Sequence, residues 1–347
     1  MGENKIDVNA LKNKEKRIIY KHLWVNQNFD FNIIKKGVSD PSYEFEFADK
    51  DSASFVSESL ANNFGIEKEK YLFIEKFGMS CSGTGGELKK ITTLHSSSLC
   101  ALLFFFNVDT MPLKIRGLES CEFTQSFFEF KNKVIRYPSN IDVVLLGKNK
   151  KTNKKVILFL ESKFSEYITG INKKDIKYKI GKAYLKEGCF SKPIYDELNS
   201  RGCLQYNEKD GSFTASKPKY IEGLKQIVSH YYGIRNFLIS DYYEKDNRNL
   251  DAVKEYGAEE FILGEIVFDN FGKELADALK SYEEDYEQLA EIINNQCKKD
   301  KIGNLRVLTE SLKYSDLKDY ISEFPKIKNF YFGKQISLCF DAITERQ

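Results

Sequence analysis

Histidine is almost missing from this chain of 347 residues, with three copies at positions 22, 95 and 230. That inventory excludes a histidine-rich metal centre. Proline is scarce too, at 6, while 41% of residues are hydrophobic and 14% aromatic. A long disordered chain is excluded and a sizeable core is allowed. The 7 cysteines, at 81, 100, 121, 189, 203, 297 and 339, contain no CxxC pair. A disulfide framework or zinc knuckle is therefore not expected, and the pattern reads as a reduced, cytoplasmic protein. No apolar run reaches the roughly 18 residues of a membrane span, so no membrane partner is expected. The longest, Leu99 to Asn107, is too short. The opening Met-Gly-Glu-Asn-Lys lacks a signal peptide's apolar segment, and Ile6 stands where a myristoylation signal needs Ser or Thr. Ser82-Gly83-Thr84-Gly85-Gly86-Glu87 lacks the Gly-Lys-Ser/Thr ending of a phosphate loop.

What the chain does have is charge, unevenly placed. Ser126 to Lys186 holds 15 Lys and Arg against 5 Asp and Glu, a net of +10, whereas Asp251 to Asp300 holds 5 against 14, a net of −9. The total of +2 hides two poles. One face is expected to attract polyanions and one to repel them.

The length suits one large domain with an elaborated end. The loop Ser80 to Gly86 marks a boundary between an extension at residues 1–80, of no recognisable motif, and a main domain at 81–347. Helical spacing of Ile91, Leu94, Ser98 and Leu102 predicts a helix from Glu87, with Ser96, Ser97 and Ser98 inside it. Strands are expected at Phe127–Val134, Ile141–Leu146, Val156–Leu160, Phe261–Phe268 and Leu305–Leu308. Helices are expected at Tyr220–Tyr232 and, long and acidic, at Phe271–Cys297; residues 165–215 read as basic and loop-rich. The order implies an α/β fold, a mixed central sheet flanked by helices.

Side chains alternate along a strand, so Glu161 and Lys163 share a face and Ser162 takes the other. Asp142 precedes Glu161 by 19 positions, which fits two short strands joined by a turn. A hairpin would then bring Asp142 alongside. Two carboxylates held close on apolar strands raise each other's pKa and are costly to desolvate. A divalent metal resolves the conflict, since Mg²⁺ binds through one or two carboxylates, keeps several waters and takes substrate phosphate. A backbone carbonyl at Ser162 would add an oxygen. Lys163 would then orient and help deprotonate an attacking water, for hydrolysis of a phosphodiester.

These residues carry a resemblance. Asn140-Ile141-Asp142, then Glu161-Ser162-Lys163-Phe164 closing the next strand, resemble the PD-(D/E)XK nuclease superfamily. Leu94-His95-Ser96-Ser97-Ser98 opening the first helix, and Lys225-Gln226 to His230 on a later one, extend the similarity to bacterial single-domain members over roughly residues 87–270. The resemblance implies a restriction-endonuclease-like fold, with Asp142 and Glu161 binding Mg²⁺ (or Mn²⁺ as substitute) and Lys163 catalytic. It implies DNA as the partner, endonuclease action, and a homodimer where both strands are cut. Gln226 and His230 occupy a place where some exonuclease-like branches carry Gln and Tyr, and Glu87 is a candidate for an acidic residue on the first helix. The Pro-Asp dipeptide of the motif is absent, with Pro138 four residues before Asp142. Lys150, Lys151 and Lys154 at the hairpin turn, and Lys173, Lys174 and Lys177 after the catalytic strand, are the expected phosphate contacts. The competing readings are a nuclease-fold protein that binds nucleic acid or a partner without cutting, and an unrelated α/β scaffold on which Glu161 and Lys163 form a surface ion pair.

Overall fold

The computed structural model describes residues 33–36, 42–45, 64–65, 96–135, 138–169, 182–186, 189, 191–207, 212–215, 221–239, 247, 249–272 and 275–333. A small antiparallel hairpin comes first, β1 (Ile33–Lys36) with β2 (Ser42–Phe45). The expected helix is present as α1 (Ser97–Phe105), and its expected part from Glu87 to His95 lies outside the described residues. Ser96 lies outside it as the N-cap, with extended backbone and a side chain accepting from the Leu99 N–H at 3.1 Å. A serine oxygen satisfies an orphan donor at a helix start better than it serves a helix interior, so the serine run opens the helix.

Three long strands come next. They are β3 (Cys121–Lys133), β4 (Pro138–Asn149) and β5 (Lys155–Lys163), and they form an antiparallel meander. All three outrun the apolar cores that predicted them, because the polar ends still pair. The region read as loops holds α2 (Glu166–Thr169), α3 (Lys192–Ser200) and a hairpin of β6 (Leu204–Asn207) with β7 (Ser212–Ala215). The signal for α3 is a short stripe, Ile194, Tyr195 and Leu198, all buried. Then come α4 (Ile221–Ile239), α5 (Leu250–Glu255), β8 (Glu260–Val267) and the long acidic α6 (Ala276–Lys299). Two short strands, β9 (Leu305–Val307) and β10 (Leu312–Lys313), precede α7 (Pro325–Phe332).

The central sheet has six strands and is mixed. β8 pairs parallel with β5, and β9 and β10 follow one another along the far edge of β8, both parallel to it. Each face buries its own core. On one, Val143, Leu145, Val156, Leu158 and Leu160 pack with α1, Tyr314 and α7. On the other, Val144, Leu146, Ile157 and Phe159 pack with α4 and α6. The protein is thus α/β, as the element order implies. Phe64, from the stretch read as an extension, is buried in the first core, with its ring edge-on to Phe330 at 5.3 Å. Among the described residues no helix is long and apolar enough to cross a membrane.

One close approach sets the position of α4. A Cβ on Gly233 would stand 2.5 Å from the Asn132 Cβ of β3. Only a residue without a side chain lets the helix lie that near the sheet. The N-terminal half of α4, with Gln226 and His230, is thereby held over the ends of β4 and β5.

Candidate active site

The hairpin between β4 and β5 is present, and its register decides what meets. The paired register ends with Val143 facing Leu160, and continuing it by one step sets Asp142 opposite Glu161. Asp142 and Glu161 therefore share a sheet face, and Lys163 shares it by alternation. Ser162 points the other way. Its hydroxyl donates to the Ser97 carbonyl at 3.1 Å and accepts from the Tyr314 hydroxyl at 2.7 Å, pinning the strand end to α1. Its backbone N–H reaches back to Asp142 Oδ2 at 2.7 Å. Glu166 closes β5, its carboxylate accepting from the Phe164 and Ser165 amides at 2.7 and 2.9 Å.

Glu161 and Lys163 are not a surface pair: both are buried, at 2% and 1% exposure. Lys163 Nζ donates to Glu161 Oε1 at 2.8 Å and also to Gln226 Oε1. The other Glu161 oxygen, Oε2, is 2.6 Å from His230 Nε2. Ser139, near the start of β4, engages the opposite ring nitrogen, Nδ1. The two residues on α4 that the resemblance singled out, Gln226 and His230, both touch the central ion pair. The Lys150, Lys151 and Lys154 turn lies at the other end of the hairpin, on the order of 20 Å from Glu161 at the rise of a strand. There Lys150 pairs with Glu122 at 2.7 Å and Lys154 with Glu260 at 3.6 Å. Lys173, Lys174 and Lys177 lie outside the described residues, as does Glu87.

Two carboxyls that the sequence did not single out complete the picture. Glu129 of β3 sits between positions that face Val143 and Ile141, and so stands opposite Asp142. It is buried, and its backbone is left-handed, with φ of 51°. A non-glycine residue in that region is held at a cost of about 1–3 kcal/mol. On the other flank, Glu265 of β8 faces Glu161 directly. Glu129, Asp142, Glu161 and Glu265 thus form one row across four adjacent strands. Like charges facing one another are destabilising, and this row sits in an interior. The available signal in the sequence was a lone acid inside an apolar strand, as in Phe-Ile-Leu-Gly-Glu-Ile-Val.

The row is electrostatically divided. Burial pushes the Asp142 carboxyl well above the usual range, and the negative charges of Glu161 and Glu129 push it further. Burial also opposes ionisation of Glu161, but Lys163 and then His230 outweigh it and hold its pKa down to about 2. Burial disfavours the Lys163 ammonium as well. The surrounding carboxylates, Glu161 foremost, more than compensate and keep it above the ordinary lysine range. In this arrangement Lys163 is a fixed cation. As a cation it can orient a water. Glu265, pushed up mainly by burial, reaches about 8.

Among the described residues no three His, Cys, Asp or Glu gather closely enough to hold a metal by themselves. A Mg²⁺ site does not require three, because waters and substrate phosphate complete its shell. Asp142 and Glu161 suit it chemically. A carboxylate oxygen that accepts one hydrogen bond keeps a second lone pair, so the Glu161 contacts do not close its coordination. The raised pKa of Asp142 marks a place short of positive charge.

No family model matches the chain, and neither a curated protein nor a solved structure does.

Proposed function

We propose that this chain is a divalent-metal-dependent nuclease with a restriction-endonuclease-like fold, hydrolysing phosphodiester bonds of DNA at internal positions. The observation that carries the reading is the buried end of the hairpin. There Asp142 stands opposite Glu161, and the Lys163 ammonium is bonded to Glu161 at 2.8 Å. A structural ion pair needs no third charge beside it, and an apolar strand end gains nothing from one. Asp142 and Glu161 would hold Mg²⁺ or Mn²⁺, with the Ser162 carbonyl as a further oxygen. The ion would polarise a phosphoryl oxygen and offset its developing charge.

The chain's own residues supply the rest. Lys163 has three N–H donors and spends two on Glu161 and Gln226. The third is available to orient an attacking water or a phosphate oxygen. Gln226 fixes the ammonium from above the sheet, and His230, braced by Ser139, fixes the far oxygen of Glu161. The chain is expected to cut plasmid in Mg²⁺ or Mn²⁺ and to stop when chelator is added, with single-stranded DNA and RNA run alongside to define the substrate. Lys163→Ala should abolish cutting, by about 10³-fold as for loss of a group that stabilises the transition state, and leave binding in place. Cleavage that survives both chelator and Lys163→Ala would sink the mechanism.

A second reading has its own support. Both Glu161 oxygens are already engaged, which suits a nuclease fold that binds nucleic acid without cutting it. Salt-sensitive DNA binding with no cleavage under any divalent ion would favour it.

A further inference from the structure

We propose that Glu265 is a second seat for the Lys163 ammonium, a positioning residue that takes the group when Glu161 turns toward a bound cation. The inference rests on the metal-dependent reading above.

Its starting point is a mismatch inside the protein. Glu265 is completely buried, and neither of its carboxyl oxygens makes a hydrogen bond of ordinary geometry among the described residues, although the Tyr282 hydroxyl lies near enough to lower its pKa. Buried polar groups are nearly always paired, so a carboxyl this poorly paired calls for a reason. Its position supplies one. Glu265 faces Glu161 across parallel strands, so it lies on the face that also carries Lys163. Lys163 has one N–H unspent, and its charge acts on Glu265 although the two form no ion pair. A spare buried donor thus lies beside two poorly paired buried acceptors.

Cation binding would bring them together. A divalent ion on Glu161 and the Lys163 ammonium would share one carboxylate and repel each other. The ammonium must then lean on another acceptor or compete with the ion. Asp142 would itself be engaged by the cation. Glu166 also acts on the ammonium, but its Oε2 is tied to the Phe164 and Ser165 amides. Glu265 is the carboxyl on the same face whose oxygens make no hydrogen bond of ordinary geometry. Gln226 can stay bonded during the shift, so the ammonium turns about a fixed contact.

The test is Mn²⁺ affinity of the full chain, by calorimetry, without nucleic acid. Glu265→Gln keeps the shape and cannot ionise to receive the ammonium, and melting curves check that it folds. It is expected to weaken Mn²⁺ binding about tenfold, the low end of the effect of residues that support a metal ligand. With Lys163→Met already in place, the same change is expected to stay within about twofold, because the effect travels through the ammonium. Wild-type affinity in Glu265→Gln overturns the proposal. So does an equal weakening in the Lys163→Met background, which would make Glu265 act on the cation directly. A wild-type chain that takes up no Mn²⁺ overturns the metal-dependent reading itself, and this inference with it. If Glu265→Gln does not fold, the wild type still decides. In ¹⁵N-lysine spectra, the ammonium signal that Lys163→Met removes should shift on saturation with Mg²⁺. A signal unmoved by saturating Mg²⁺ overturns the proposal.

Discussion

At the scale of single residues, the site is a contest between burial and charge, and pH separates the contestants. Glu161 is held down to about 2, so its contribution to stability is present above the ordinary Glu pKa of roughly 4.3 and is lost as pH falls toward 2. Asp142 and Glu265 have the opposite sign. Their folded-state pKa values are raised, Glu265 to about 8. Their stabilising effect is complete below the unfolded values, roughly 3.9 and 4.3, and is lost as pH rises through the folded ones. The metal-free chain should therefore lose stability between about pH 4 and pH 8. Asp142→Asn should melt a few degrees above the wild type at pH 8 and level with it at pH 4, while Mg²⁺ should raise the melting temperature of the wild type alone. A variant that melts at or below the wild type at pH 8 would mean that Asp142 carries no such burden. Asp142, Glu161 and Lys163 could be read from the sequence because their relation is local: alternation along one strand and a turn short enough to be a hairpin. Glu265 could not. It lies 104 positions from Glu161, and only the parallel pairing of β5 with β8 makes them neighbours.

At the scale of elements, α4 is the part that turns a pair of strand ends into an enclosed site. Its position depends on Gly233, where a Cβ would meet Asn132 at 2.5 Å. Gly233→Val should cost about 1–3 kcal/mol by overpacking, with little return from helix propensity. The helix must also shift, and Gln226 and His230 ride on it. Activity is thus expected to fall more than the folded fraction does, measured well below the melting temperature. Equal losses would show that α4 does not position the ion pair. The helix itself was legible from its apolar period, and its neighbours Gln226 and His230 from their spacing of four. That the pair bonds to Lys163 and Glu161 was not, since it depends on how closely a helix can approach a sheet. In α1 the serine run was read as helix interior, whereas Ser96 is the N-cap, accepting from the Leu99 N–H; the expected part from Glu87 to His95 lies outside the described residues.

At the scale of the whole molecule, the described lysines of the +10 segment include two separate groups. One part, with Lys163, is the buried site; another, with Lys150, Lys151 and Lys154, is the hairpin tip at the far end of the same strands. A duplex lying along the hairpin would need on the order of six base pairs to span that distance, at about 3.4 Å each. Replacing all three tip lysines by Ala should weaken binding to a duplex of about 20 base pairs and reduce its salt dependence. A duplex too short to reach the tip should bind unchanged. Equal weakening for both lengths, read by fluorescence anisotropy at two salt concentrations, would remove the tip from the substrate track. By itself the sequence determined the class of fold, the order of the main elements and the triplet Asp142, Glu161 and Lys163, because apolar periodicity and strand alternation act over a few residues. The tertiary structure decided that Glu161 and Lys163 are buried with Asp142 half-buried beside them, that Lys163 is bonded to Glu161 and that Glu129 and Glu265 extend the row. Those facts follow from sheet register and helix docking between distant segments, which no local pattern encodes.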